Sequence, residues 1–192
     1  MVVRPRLQPL RVPADTTLIA VVRIEALPPH PNGPRGVGEA TLSAPQREAA
    51  ARAIAAAAEF PGTTGLQVDF DATLSERAFY RDLLSDLRAQ LPPELSLSVT
   101  ALASWCLGDD WLDDLPIDDA VPMLFRMGTG EREFHAHLNA GGDFRAPVCR
   151  QSLGVSTDEP LEHLPAGRRL YIFSPHPWTP TGVQLAIEEA RR

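Results

Sequence analysis

The segment Gly65–Glu76, GLQVDFDATLSE, decides how the rest of the chain is read. Its centre alternates: Leu66, Val68 and Phe70 are apolar, while Gln67, Asp69 and Asp71 are polar. A period of two marks a strand with one buried face. Directly after it, Thr73 and Glu76 stand in the T-x-x-E spacing that caps a helix start. The segment is therefore one strand–helix unit, with two carboxylates on one strand face near its end.

Outward from this segment the same unit recurs. Upstream, Leu18–Glu25 (LIAVVRIE) is rich in β-branched residues and reads as a strand. Ser43–Phe60 reads as a helix, with Ser43 as N-cap, Gln46 at the capping-box position and alanine through the body. The strand Leu66–Asp71 is followed by a helix over Thr73–Gln90, whose apolar stripe is Leu83, Leu84 and Leu87. Downstream, a strand is expected over Leu95–Ala103, a short helix over Asp109–Leu115, a strand over Val121–Arg126 and a helix over Thr129–Asn139. A weaker strand lies within Val148–Ser156, then a helical turn near Leu161, and a last strand over Leu170–Ser174. Thr179-Pro180 opens the final helix, with proline at the first helical position. The nineteen prolines fall mostly in connections such as PPHPNGP and SPHPWTP.

Six strand–helix units without a hairpin signal imply parallel pairing, because each crossover returns the chain to the same end. An open doubly wound sheet and part of a (β/α)8 barrel both satisfy that pattern. The strand faces favour the barrel. Ala20, Val22 and Ile24, then Leu66, Val68 and Phe70, then Leu97, Val99 and Ala101 would point outward under helices. Arg23 and Glu25, Gln67, Asp69 and Asp71, and Ser98 and Thr100 would point inward, where a barrel turns polar near its C-terminal mouth. Central strands of a doubly wound sheet read instead as continuous apolar runs. The chain also lacks a G-x-G-x-x-G turn and a G-x-x-x-x-G-K-[ST] loop. The expected fold is α/β, an incomplete TIM-type (β/α) barrel of about six units, forming a single domain over residues 1–192.

The 192 residues suffice for a real core. A formal net charge of -7 with no basic run argues against nucleic acid and anionic membranes as partners. The longest apolar runs, LIAVV and AIAAAA, fall far short of the ~20 residues needed to span a bilayer. The start, MVVRPRLQPLRVP, is broken by three prolines and has no apolar core of signal-peptide length. Cys106 and Cys149 have no metal-ligand spacing and are expected to be buried or idle thiols.

In a barrel, functional groups gather where strands end. Those positions hold Arg23 and Glu25, Asp69 and Asp71, Ser104 and Trp105, Arg126, Asp158 and Glu159, and His176 and Trp178. Acids, arginines and tryptophans together suit a sugar. Asp69 and Asp71 have Cα atoms about 6.5 Å apart on one strand face. Like charges that close would raise one pKa, which glycoside hydrolysis can use; alternatively, Arg23 or Arg126 neutralises the pair in a structural ion network. Glu25 precedes the long loop ALPPHPNGPRGVG and is either a functional acid or an ion-pair partner. Trp105 and Trp178 would be a stacking platform if exposed, or core if buried; Trp111 reads as core. His135 and His137 read as a surface pair. No His or Cys cluster of metal spacing is present, and two carboxylates alone do not make a cation site. No metal or cofactor is expected.

The motifs GLQVDFDA, LSVTALASWC, VPMLFRMG, SLGVSTDEP and LYIFSPHPW, in this order, resemble the bacterial domain-of-unknown-function family 3142. The resemblance runs from about Leu18 to Trp178 and implies a glycosidase-like (β/α) barrel. It also implies a further N-terminal region supplying two more strands, so that the chain is expected to begin at the third. Either the sequence is a fragment, or the arm Val2–Val12 partly closes the open edges, or a second copy covers them. Chitinase-like glycosidases carry D-x-D-x-E at the equivalent strand; here Thr73 stands at the glutamate position.

Together these readings predict a glycoside-hydrolase-like domain that acts on or binds an oligo- or polysaccharide. Asp69, Asp71 and Glu25 are the candidate acids. Arg23, Trp105, Arg126, His176 and Trp178 are the candidate binding groups, Arg126 orienting the acids or holding an anionic sugar. The alternatives are a non-catalytic glycan-binding scaffold and a truncated fragment. Location is expected to be cytoplasmic as the sequence stands, or exported if a leader precedes it.

Overall fold

The Gly65–Glu76 segment is the centre of the first of two compact units in the computed structural model, which describes residues 2–7, 11–26, 42–159 and 164–190. That unit spans Met1–Val99 with Leu115–Asp118; the second spans Thr100–Asp114 with Asp119–Arg192. The long loop expected after Glu25 and the helical turn expected near Leu161 lie outside the described residues.

In the first unit, strand β1 (Leu18–Arg23) pairs in parallel with β2 (Thr63–Asp69), which pairs in parallel with the start of β3 (Ser96–Leu102). Strand β2 begins three residues earlier than its alternation suggests, because Thr63-Thr64-Gly65 joins the ladder despite its turn-like composition. The apolar face is buried as expected: Leu66, Val68, Leu97 and Val99 have no exposed surface. The polar face is buried too along its middle. Gln67 and Ser98 stand in register, and the Gln67 amide donates to Ser98 Oγ at 3.2 Å. Polar side chains thus pack on that face by satisfying one another, as burial demands.

Two helices cover the apolar face. Helix α1 (Ala44–Ala55) follows Ser43, whose side chain makes no cap bond; instead Gln46 Oε1 accepts from the Leu42 amide at 3.0 Å. Helix α2 (Arg77–Gln90) is preceded by a 3₁₀ turn (Leu74–Glu76) set by the Thr73–Glu76 capping box. The Glu76 carboxylate accepts from the Thr73 amide at 2.8 Å and from its hydroxyl at 2.7 Å. Leu83, Leu84 and Leu87 are fully buried, and Tyr80 packs edge-on against Phe70 at 5.1 Å. Arg47 on α1 ties the helices together through Asp82 (2.9 Å) and Asp86 (2.7 Å) on α2.

In the second unit, helix α3 (Ala103–Gly108) starts where β3 stops, with no intervening loop. The helix expected over Asp109–Leu115 is absent: Trp111–Asp114 form a turn. Ala103–Gly108 carries no capping signature, so its start was not visible as a local pattern. Strand β4 (Asp119–Met123) leads to α4 (Glu131–Asn139), which buries Phe134 and Leu138. A 3₁₀ turn (Pro147–Cys149) precedes β5 (Ser152–Ser156), and β6 (Arg169–Phe173) precedes α5 (Pro180–Ala190). Gly154 sits in close packing: a Cβ there would lie 2.7 Å from Met123 Sδ, which would have to move, and 3.3 Å from the Pro122 carbonyl oxygen. At the strand starts, Ser152 Oγ donates to buried Asp119 at 2.5 Å.

Cys106 and Cys149 are joined in a disulfide, which corrects the expectation of idle thiols. They lie 43 positions apart in sequence, and only the folded path of α3 and the Pro147–Cys149 turn brings their Cα atoms to 5.9 Å. His135 also departs from the surface reading: its Nε2 is buried, beside Phe134.

Strand order follows chain order in each unit, β1-β2-β3 and β4-β5-β6, and the recorded pairs are parallel. A doubly wound sheet reverses its order at a switch point; no reversal occurs in either unit. Six parallel strands alternating with helices in this order make an α/β fold of the incomplete (β/α)-barrel class.

Candidate functional site

Register places the first set of polar groups. Arg23 is the last residue of β1 and Asp69 the last of β2, and the two are direct cross-strand partners. Partners in a ladder face the same side, so the guanidinium and carboxylate meet: Arg23 Nη1 lies 2.8 Å from Asp69 Oδ2. The alternation carries Asp71 and Glu25 to the same neighbourhood. Arg23 Nη2 lies 3.6 Å from Asp71 Oδ2, and Nε lies 3.5 Å from Glu25 Oε1. One arginine thus serves three carboxylates. The ladder continues past the strand end, since the Ile24 amide donates to the Asp69 carbonyl at 2.8 Å. The hydrogen bond to Asp69, then its charge, holds the Arg23 guanidinium above its ordinary pKa range.

Exposure grades the three acids. The Asp69 side chain is 20% exposed, while Asp71 and Glu25 are 57% and 63% exposed. Asp69 anchors the arginine, and the other two present oxygens to solvent. Tyr80, buried below Asp69 and Asp71, has its phenol pushed well above the usual range, chiefly by burial and then by those charges. Its hydroxyl donates to the Val68 carbonyl at 3.4 Å, so it serves the frame and not the surface.

The second unit has its own arginine between acids. Arg126 has a left-handed backbone, φ 54°. Its amide donates to Glu159 Oε2 at 2.8 Å, Nε lies 3.8 Å from Glu159 Oε1, and Nη2 lies 3.4 Å from Asp158 Oδ2. Ser156 Oγ donates to Asp158, and that bond more than any other holds the Asp158 carboxyl below the usual range. Arg126 therefore takes its partners from its own unit, from the turn after β5.

The remaining candidates divide by burial. Trp105 is 3% exposed and stands edge-on to Trp111 at 5.0 Å, so it is core and offers no stacking face, which corrects its assignment as a binding group. Trp178 is 46% exposed, in the segment between β6 and α5. His176 is exposed there too, its amide donating to Ser174 Oγ at 3.3 Å.

The structure thus brings Arg23, Glu25, Asp69 and Asp71 together in one unit and places Arg126, His176 and Trp178 in the other. Sequence reasoning missed Ser156, whose role in fixing Asp158 had no signal beyond proximity in the chain. Among the described residues, no group of three or more His, Cys, Asp or Glu side chains is set to hold a metal ion. No helix among them is long and apolar enough to cross a membrane.

A protein-family model described as Domain of unknown function (DUF3142) matches residues 16–118. That span contains Arg23, Glu25, Asp69 and Asp71, and ends at Asp118. No curated protein and no solved structure matches the chain.

Proposed function

The chain belongs to the domain-of-unknown-function family DUF3142, and we propose that its first unit is a glycoside-hydrolase-like domain that binds a carbohydrate at the C-terminal ends of β1 and β2. The observation that carries this reading is the Arg23 bridge to Asp69, Asp71 and Glu25. Sugar hydroxyls need fixed acceptors, and an exposed carboxylate offers two oxygens with several lone-pair directions. An acid already oriented by an arginine fork loses less freedom on binding, so preorganisation works in the ligand's favour. Strand ends of a (β/α) fold are also where such folds carry their sites.

Hydrolysis is the second reading, favoured by one observation: Asp71 and Glu25 are separate, solvent-facing carboxylates that share a neighbour. In it, Asp71 is the acid, Glu25 the second carboxylate and Asp69 the group that holds Arg23 in place.

The test is a thermal melt against neutral oligosaccharides, with product analysis of the same samples. A ligand of the native state raises the melting temperature. Binding predicts a rise with one glycan class that is lost in Asp71→Asn. Intact sugar after long incubation selects binding over hydrolysis, and shorter products select the reverse. No shift with any glycan would overturn the carbohydrate reading.

A further inference from the structure

The second unit carries a feature that neither the family match nor the sugar reading uses. Cys106 lies within α3, the helix that follows β3, and Cys149 ends the 3₁₀ turn before β5. Both are fully buried, and their disulfide closes a separation of 43 residues that contains all of β4 and α4. The surroundings are apolar and tightly held. Phe144 is fully buried and Leu112 nearly so, and Trp105 and Trp111 are in edge contact nearby in the chain.

The backbone converges on the same place. The Cys106 carbonyl accepts from the amides of Arg145 (2.9 Å) and Ala146 (3.1 Å). Arg145 Nη2 donates to the Asp109 carbonyl at 2.6 Å and lies 3.4 Å from the Asp113 carboxylate. The segments 106–113 and 145–149 are therefore stitched by main chain, side chain and sulfur together. A pair in contact with solvent at a strained surface would suit a switch. A pair with no exposed surface suits a permanent lock, because exchange needs a thiolate to reach the sulfur.

We propose that the Cys106–Cys149 bond is a structural disulfide on which the second unit depends, and that the chain acquires it in an oxidising compartment. Buried structural disulfides form and persist where the surroundings oxidise thiols, and thiols stay reduced in an ordinary cytosol. Formation is thiol–disulfide exchange. The two thiols give up two electrons and two protons to an external disulfide, small-molecule or protein-borne, which leaves as two thiols. The inference is independent of the ligand and stands if the sugar reading fails.

The experiment starts with the full chain produced in an oxidising compartment and purified without reductant. It is unfolded in denaturant, alkylated and weighed, with and without prior reduction. The expected result is no alkyl group before reduction and two after. Two alkyl groups without reduction would overturn the proposal. Next, the folded chain is exposed to a phosphine reductant with and without denaturant. The buried bond is expected to survive in the native state and to be cut once the chain opens; ready reduction in the native state would overturn its standing as a lock. Cutting a bond that closes a loop of this length is expected to lower the melting temperature by about 10 °C. A fully reduced chain melting within about 2 °C of the oxidised one would show that the unit does not depend on the bond. The variant Cys106→Ser with Cys149→Ser is expected to melt with the reduced chain; should it not fold, the mass measurement on the unaltered chain still decides.

Discussion

Arg23 and Arg126 are each set between carboxylates at strand ends, one in each unit, yet they are held by different means. Arg23 lies on a strand, in ordinary backbone geometry, and reaches its acids through side-chain atoms alone. Sheet register puts it opposite Asp69. Arg126 lies in a turn with left-handed backbone, and its shortest bond to an acid uses the main-chain amide. The first arrangement is a product of alternation and pairing, so it inherits the rigidity of β1 and β2. The second is a product of one turn, so it inherits that turn's strain. The units also differ below the surface: an α2 leucine stripe packs the first, while the second adds a buried cross-link to its apolar core.

The largest effect should follow from attacking the leucines. Leu84→Ala removes a fully buried side chain from α2 and should cost about 2–5 kcal/mol. Urea unfolding of the variant measures it. A loss below about 0.5 kcal/mol would break the claim that an apolar stripe secures the first unit.

Next in size is the loss of ligand affinity in Arg23→Gln. Exposed ion pairs contribute about 0–1 kcal/mol each, so the fold should survive. Losing the group that orients Asp71 and Glu25 should weaken binding of the sugar found in the melt about tenfold or more. Arg126→Gln should change it by less than threefold. Calorimetric titration of both variants checks the contrast, and equal losses would show that the two arginines serve one ligand.

The contrast between the arginines also marks what could be read from the sequence. The strand faces of β2 and β3, the α2 stripe and the Thr73–Glu76 box were legible because each is a local pattern with a known period. So was the gathering of acids at strand ends. The Arg23–Asp69 contact was legible only as one of two partners for the acids, since choosing Arg23 over Arg126 needs the register of β1 on β2. Trp105 was ambiguous because burial of an indole at a strand end depends on its neighbour, here Trp111. The disulfide was not legible at all, because two cysteines 43 positions apart carry no local trace of the contact.

A third prediction concerns acid, and compares a main-chain mimic with an ordinary ion pair. Asp118 Oδ2 accepts from the Leu97 amide at 2.8 Å and from Arg88 at 2.6 Å, while the Asp118 amide donates to the Leu97 carbonyl at 2.8 Å. Burial works upward on its carboxyl, but the Leu97 amide and the Arg88 guanidinium outweigh it and hold the pKa below the usual range. A depressed folded value contributes stability above the unfolded value, about 3.9, and loses it as pH falls through the folded value. The unaltered chain should therefore be more stable than Asp118→Asn above about pH 4, and the two should converge in stronger acid. Urea midpoints across pH 2–7 test this, and a constant gap would mean that the lost contact is steric.

The smallest effect is the most telling for the comparison. Glycine at position 126 keeps the amide that donates to Glu159 and removes the side chain. A left-handed backbone costs a non-glycine residue about 1–2 kcal/mol, and φ 54° places Arg126 there. Against that relief stand the extra freedom of glycine in the unfolded chain, about 0.4–1 kcal/mol, and two exposed ion pairs of little value. Arg126→Gly should therefore leave stability within about 0.5 kcal/mol of the unaltered chain. Arg23→Gly should instead destabilise by about 0.5–1 kcal/mol, because glycine gives up more backbone freedom to hold the end of β1 in the ladder and nothing strained is released. Paired urea curves decide between the two origins. If Arg126→Gly costs as much as Arg23→Gly, the guanidinium and not the turn holds the second cluster, and the two sites are built alike after all.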